Sequence, residues 1–499
     1  MASSKERSMF AKFLESERPF PIIAALAAGL YPILFYYSRN YHMVNSWEHV
    51  GYFIVVFLLI PMLVFLVVQR LTRLTIFSKY SAYVLPFLNV FGFLFILKTF
   101  LYVAPERKII LGIFIVALLF AVFFHKYHKK VIVIQLILAL IGVFTVGSEI
   151  YRNATYSEEW KAQPDNISEV VFKKKPNVYF IEPDGYVSFS ELKKGFYQSQ
   201  NNLFEDFLSQ NNFKTYPDFR SNYNTTLTSN SAAFAMKHHY FNYSIQTGEV
   251  QNGRQNIISN NAVLNAFKKN NYETYFLSES PYFLLNRPQM EYDHCSIEYS
   301  EIDYIHNGLG EIRPLLPPLM SFLNDGIERP KFFFIQILRP THIEPSEGYS
   351  GGAVIEREKY LDRMDISNKL MIKMIQSIKE MDPEALIMVM ADHGGFVGLD
   401  FSFQSEIKTK DRDIIYSIFS SILAIHWPNN EVPYYDEKLK TPVNLFRIVF
   451  AYLSRNEGYL EHLQPDESII VLKQNTEPGI YKYINPAGNI ILEKIEPDK

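Results

Sequence analysis

Apolar residues follow two regimes along this chain. Before residue 150 they form long, nearly uncharged runs at 20–37, 50–69, 80–97, 109–124 and 131–147; later they come in short bursts between polar stretches. A helix needs about 20 mostly apolar residues to cross a bilayer core, so the first half predicts about five spanning helices, with 109–124 the shortest. Pro32, Pro61 and Pro86 lie inside these runs, as membrane helices allow where neighbours re-satisfy the backbone. Lys98 ends the third run, where its stem can follow apolar surface while the ammonium reaches the interface.

Past residue 176 the short runs 177–181, 272–277, 331–338 and 386–390 read as buried strands, and 204–210 and 353–381 as helices. Within the long helix Leu361, Met364, Leu370, Met371, Met374 and Ile378 recur at mixed three- and four-residue spacings, the stripe of a helix packed on a sheet. Strands alternating with helices predict an α/β domain with a mostly parallel sheet flanked by helices. The expected division is a multi-pass α-helical membrane domain at 1–148, a polar connector at 149–175 and an extracytoplasmic domain at 176–499. A chain of 499 residues accommodates two such domains.

Charge orients the first half. Lys5, Arg7, Lys12 and Arg18 precede the first run, Arg70, Arg73 and Lys79 follow the second, and Lys126, Lys129 and Lys130 follow the fourth. The alternate loops carry Arg39 and then Arg107 with Lys108. Basic loops stay cytoplasmic, so the N-terminus is expected inside and everything after Gly147 outside. Ser38-Arg39-Asn40 follows the first run, which is no small-residue cleavage site. The net charge of −3 gives no sign of a nucleic-acid partner. Cys295 is the only cysteine, so no intramolecular disulfide can form. Its neighbours Glu291 and Asp293 disfavour a thiolate, so Cys295 reads as a buried or tolerated residue.

Ligands of parallel sheets gather beyond the C-terminal strand ends. The first strand ends in Glu182-Pro183-Asp184-Gly185-Tyr186 and the fourth in Ala391-Asp392-His393-Gly394-Gly395. Oxygen and nitrogen donors converging there suit a divalent ion such as Zn²⁺ or Mn²⁺. Between them, Ser221-Asn222-Tyr223-Asn224-Thr225-Thr226-Leu227-Thr228-Ser229 leads into the apolar run 232–236. Free N–H groups at such a helix start attract an anion, and a metal-coordinated hydroxyl there can become a nucleophile. The plainer reading is an ordinary Ser/Thr N-cap.

In order and spacing these motifs, with Asn177-Val178-Tyr179-Phe180-Ile181 ahead of them, resemble the alkaline phosphatase/sulfatase superfamily. More narrowly the chain is similar to the membrane-bound sulfatase-like phosphotransferases, which include lipoteichoic acid synthases and phosphoethanolamine transferases. The resemblance spans about residues 176–455, including Thr441-Pro442-Val443-Asn444-Leu445-Phe446-Arg447. It implies an alkaline-phosphatase-like fold and one divalent metal, Mn or Zn with Mg in reserve, held by Asp184, Asp392, His393 and Thr226. Relatives more often carry Glu at the Asp184 position. Thr226 would be the nucleophile, with Thr225 the neighbouring alternative. His342, in Arg339-Pro340-Thr341-His342 after the third strand, would bind the transferred group or serve as general acid and base; Arg339 could contact phosphate instead. His238 and His239 read as structural, and Glu182 as an assistant to Asp184 that Pro183 could turn away.

The implied reaction moves a phospho-headgroup, of phosphoglycerol or phosphoethanolamine type, from a membrane lipid donor to an envelope glycan, lipid or polymer through a phospho-threonine. The setting implied is the bacterial cytoplasmic (inner) membrane with the catalytic domain outside. A formylglycine sulfatase is disfavoured because no Cys/Ser-x-Pro-x-Arg motif surrounds Thr226. Two alternatives stand beside the transferase: a membrane-tethered phosphodiesterase or phosphatase, and a non-catalytic glycan-binding scaffold.

Overall fold

The computed structural model describes residues 9–102, 106–200, 202–240, 250–305 and 311–495. Lys5 and Arg7 therefore lie outside the described residues. The chain divides into two compact units, one of Met1–Tyr156 with Leu285–Arg287 and Ile302–Gly310, the other of the remaining residues to Lys499.

In the first unit four helical stretches are long and apolar enough to cross a membrane: Pro21–Arg39, Trp47–Leu74, Ser78–Leu101 and Arg107–Lys161. The last runs for 55 residues, which as one straight helix would measure about 80 Å, far beyond a hydrocarbon core of roughly 30 Å. It is in fact two rods, Arg107–Phe124 and His128–Ala154, joined by a single tight turn at His125–Tyr127. Aromatic contacts give their directions. Phe87 meets Phe114 while the earlier Tyr83 meets His125, so Arg107–Phe124 runs against Ser81–Leu101. The following rod turns back, bringing Lys129 to the Phe13 carbonyl and Gly142 against Leu34. The apolar runs of the sequence thus become five helical rods.

Inside the bundle Asn89 donates to the Ala24 carbonyl and to Gln135 Oε1, both at 2.8 Å, so a polar group among apolar helices finds partners. Lys98 lies in the last turn of its helix. It is buried and its ammonium donates to the Tyr102 carbonyl at 2.9 Å, where the carbonyls at a helix C-terminus favour a cation.

The second unit is built on a seven-stranded sheet. Its strands are β1 (Val178–Pro183), β2 (Lys214–Thr215), β3 (Glu273–Ser278), β4 (His294–Cys295), β5 (Lys331–Ile337), β6 (Leu386–Met390) and β7 (Leu423–His426), in the order β2-β7-β6-β1-β5-β3-β4. Strands β6, β1, β5, β3 and β4 are parallel, while β7 and β2 add antiparallel pairs at one edge. β1, β3, β5 and β6 are buried along their whole length. Both faces are covered, which explains their continuous apolar runs.

Aromatic ladders bind the central strands: Phe180 on Phe334 at 5.2 Å on one face, Tyr179 on Phe333 at 4.8 Å on the other. Helices Thr226–Ala235 and Pro442–Ser454 cover the first face through Phe234 and Phe446. Helix Ala353–Met381 supplies Met364, Met371, Met374, Ile375 and Ile378 to the core on the other. Its methionine stripe is core packing. Beyond the sheet, β8 (Ser468–Leu472), β9 (Gly479–Ile484) and β10 (Ile490–Ile495) form a separate antiparallel sheet.

Candidate metal centre and catalytic pocket

Register brings the two acidic turns together. β1 and β6 are parallel with Ile181 opposite Val389, and three residues further on Asp184 stands opposite Asp392. The Gly185 N–H donates to Asp392 Oδ1 at 3.0 Å, and the His393 N–H donates to the same oxygen at 2.9 Å. Asp392 Oδ2 is left without a hydrogen-bond partner, as is Asp184 Oδ1, although both atoms are buried. The His393 ring is oriented in turn, its Nδ1 2.8 Å from the Gly394 carbonyl. With the proton on Nδ1, Nε2 keeps its lone pair for another use, the arrangement typical of a metal-ligating histidine.

Thr226 opens helix Thr226–Ala235. Its Oγ1 lies 3.5 Å from His393 Nε2, and that nitrogen lies 3.5 Å from Asp184 Oδ1 and 3.3 Å from Asp392 Oδ2. A tetrahedral site with bonds of about 2.0–2.2 Å has ligand-to-ligand edges of about 3.3–3.6 Å. The three separations from His393 Nε2 match such edges, and the oxygen and nitrogen donors suit a divalent cation. Asp184, Asp392 and His393 offer ligand atoms within 4.8 Å of one another. Burial, and then the adjacent Asp392 carboxylate, push the Asp184 carboxyl well above its usual range. Two buried carboxylates facing each other are costly unless a cation lies between them.

The neighbouring hydroxyl behaves differently. Thr225 occupies the N-cap position without capping through its side chain; its hydroxyl meets Thr228 Oγ1 at 2.7 Å. Of the two threonines it is Thr226 that approaches His393.

A pocket of 230 Å³ opens over this cluster, bounded by Thr226, His342, His393, Phe396, Phe403 and Tyr282 among others. His342 Nδ1 lies 2.6 Å from the Ile343 carbonyl, and its ring is 5.9 Å from the His393 ring. Burial first, and His393 next, lower its pKa to about 4, so the imidazole is neutral with Nε2 as the remaining ring nitrogen. Arg339 does not share this pocket. It pairs with the buried Glu279, which also accepts the Leu338 N–H, and this ties the guanidinium to the loop after β5.

His238 and His239 hold the main chain. His238 Nε2 is 2.7 Å from the Pro465 carbonyl, and His239 Nε2 is 3.0 Å from the Thr228 carbonyl with its ring stacked on Tyr223. The Cys295 thiol is pushed up to about 11 by burial, with Glu301 adding to it, which suits an inert residue.

Sequence reasoning named Glu182 only as an assistant to Asp184 and missed Phe396, Tyr282, Phe403 and Glu406. Glu182 is fully buried with neither carboxylate oxygen hydrogen-bonded, and burial, Asp392 and Asp184 raise its pKa well above normal. Phe396 packs its ring against both His342 and His393. Tyr282, Phe403 and Glu406 complete the pocket from short 3₁₀ helices, Tyr282–Leu284 and Ser402–Glu406. Glu182 and Phe396 stand beside the two strand-end motifs; Tyr282, Phe403 and Glu406 carry no periodic signal.

Gly185 is required where it stands. Its φ is +69°, and a Cβ there would come within 2.7 Å of the Thr341 carbonyl carbon. Gly185→Ala should cost about 1–3 kcal/mol from backbone strain alone. It should also displace the Thr341–His342 segment, lowering both the melting temperature and activity; unchanged melting would mean the turn relaxes freely.

Neither a protein-family model nor a curated protein sequence matches this chain. Solved structures similar to it include the C-terminal periplasmic domain of EptC from Escherichia coli, at 14% identity and a TM-score of 0.41 over 64% of this chain and 97% of that one. The lipooligosaccharide phosphoethanolamine transferase EptA from Neisseria meningitidis is similar over 89% of this chain and 86% of its own, at 12% identity and a TM-score of 0.42. The lipoteichoic acid synthase LtaP from Listeria monocytogenes is similar at 14% identity and a TM-score of 0.41, over 65% and 91% of the two chains. These are proteins of the kind the motifs resemble. At such identities and TM-scores the likeness carries no functional weight, and the chemistry has to come from the residues of this chain.

Proposed function

We propose that this chain is a membrane-anchored phosphotransferase. It moves a phosphoglycerol- or phosphoethanolamine-type headgroup from a membrane lipid to an envelope glycan, lipid or polymer, through a phosphorylated Thr226. The supporting observation is one convergence: Thr226 Oγ1 at a helix start, 3.5 Å from His393 Nε2, beside the unpartnered oxygens Asp184 Oδ1 and Asp392 Oδ2. A non-catalytic scaffold has no need of a buried hydroxyl held among orphaned acidic and imidazole atoms.

A divalent cation held by Asp184, Asp392, His393 and Thr226 would supply charge stabilisation at the phosphoryl group and lower the hydroxyl pKa. The imidazole ligand favours Zn²⁺, while the two carboxylates also suit Mn²⁺. In the first step the Thr226 oxygen bonds to phosphorus and the bond to the lipid oxygen breaks. Thr226 gives up its proton and the departing oxygen gains one; His342 Nε2 is the ring nitrogen suited to carry it, a role worth roughly 10²–10⁴-fold. In the second step an acceptor hydroxyl attacks the same phosphorus, the phospho-threonine bond breaks, and the proton lost by the acceptor returns to the Thr226 oxygen. The charge pattern of the apolar half supports an N-terminus in the cytoplasm and chemistry outside.

The test is intact mass spectrometry of the detergent-purified protein after incubation with envelope lipids and Zn²⁺ or Mn²⁺. The expected result is a headgroup-sized phospho-adduct on wild type and none on Thr226→Ala. An adduct on both would move the nucleophile elsewhere. No adduct on a protein that also retains no metal would turn the reading toward a binding role.

A further inference from the structure

A second polar cleft in the catalytic unit, of 360 Å³, is bounded by Lys194, Arg220, Arg412, Tyr416 and Lys440, with Glu191 and Asp218. It shares no lining residue with the pocket over Thr226. Four cationic side chains face two lining carboxylates, and Asp413, which also pairs with Arg412, leaves an excess of one positive charge. Three of those cations have partners: Arg412 and Lys194 engage Glu191, and Lys440 lies 3.7 Å from Asp218.

Arg220 is the exception. It is only 5% exposed, yet among the described residues no carboxylate pairs with it. Its Nη2 donates to the main-chain carbonyls of Asp466 at 2.5 Å and Asn485 at 3.0 Å. Its Nε is buried without a partner. The two nearest acids are committed elsewhere. Asp466 Oδ1 accepts from Thr441 Oγ1 at 2.6 Å and from Asn444 Nδ2 at 3.0 Å, and Asp218 is paired with Lys440.

A buried guanidinium without a direct ion pair is costly, and Asp466 and Asp218 support this one only from a distance. Main-chain carbonyls accept its hydrogen bonds but do not neutralise it. They do hold the guanidinium in one orientation through Nη2, the preorganisation that suits an arginine for a charge-assisted bond to phosphate or carboxylate. The strand-like bridge between Arg220 and Ser420, and the Arg220 N–H bond to the Lys440 carbonyl at 3.0 Å, fix its main chain as well.

We propose that this cleft is an oxyanion-binding site centred on Arg220, with Lys440 and Lys194 at its rim, for a phosphate, sulfate or carboxylate group. It is separate from the Asp184–Asp392–His393 centre and does not depend on the transferase reading.

The test is calorimetric titration of the full-length protein in detergent with inorganic phosphate, for wild type and for Asp392→Asn, which suppresses phosphate at the catalytic centre. Wild type and Asp392→Asn should bind phosphate alike at the cleft. Arg220→Lys, which keeps the charge but loses the fork, should weaken binding by about 10-fold or more, as expected for a charge-assisted hydrogen bond. If Arg220→Lys melts early, the double variant Lys194→Ala/Lys440→Ala, at exposed positions, decides by the same readout. A parallel titration with glucose 1-phosphate separates the sources: tighter binding than phosphate marks a group carried on a larger substrate, equal binding a free anion. Binding indifferent to both cleft variants, binding abolished by Asp392→Asn alone, or no binding of either probe would overturn the proposal.

Discussion

Asp392→Asn should strip the purified protein of its divalent ion and lower transfer by at least about 100-fold, the loss expected when the ordered shell of a metal site is broken. The substitution is nearly isosteric. Asparagine Oδ1 can still accept the Gly185 and His393 N–H groups that now bond Asp392 Oδ1, so the turn after β6 should keep its shape. What disappears is the charge on Oδ2, the buried atom without a partner.

Stability should then move in opposite directions with and without metal. In a chelator the variant loses the repulsion that Asp392 exerts on Asp184, so it should melt no lower than wild type. With metal at 100 times its dissociation constant, wild type should gain about 2.7 kcal/mol from binding, and the variant should gain far less. Metal analysis together with melting curves in detergent, with and without chelator, reads both effects. A wild type indifferent to metal would remove the centre from the mechanism. A variant that melts well below wild type in chelator would make Asp392 a structural residue.

How much of this was legible beforehand follows from where each residue sits. β1, β3, β5 and β6 are buried on both faces, so their apolar runs stand out. β2 and β4 span two residues each, too short for any pattern. In the second sheet β10 alternates partly buried and exposed positions, a weak contrast, whereas β8 and β9 are buried short runs that no motif marks.

The site was readable to the extent that its residues end legible elements. Asp184 follows β1, Asp392 and His393 follow β6, and Thr226 starts a helix. Arg339 shows the limit. Its place after β5 suggested a phosphate contact, but its partner Glu279 follows β3, and only strand order makes those two segments neighbours. Arg220 gave no signal for the same reason: an arginine is unremarkable until its burial and its lack of a carboxylate are known.

The sharpest separation falls between adjacent threonines. Thr226→Ala should lower turnover by at least about 10⁴-fold, the scale of loss when a covalent nucleophile is deleted. Thr226→Ser should recover part of it, because it keeps the oxygen that stands 3.5 Å from His393 Nε2. Thr225→Ala removes a hydroxyl engaged with Thr228 at 2.7 Å, so it should cost about 0.5–1.5 kcal/mol of stability as one neutral hydrogen bond and leave turnover within about tenfold of wild type. Rate and stability therefore divide between the two positions, one carrying chemistry and the other the local shape of the helix start. Single-turnover assays and melting curves on the three variants measure this directly. If Thr225→Ala were the inactive variant and Thr226→Ala the active one, the nucleophile would move by one residue. The fold would be untouched, but the helix start would have to rotate in the bound state to bring Thr225 to the acidic pair. If both alanine variants kept full activity, no threonine would be the nucleophile, and the convergence of Asp184, Asp392 and His393 would have to act on water or on an acceptor hydroxyl directly.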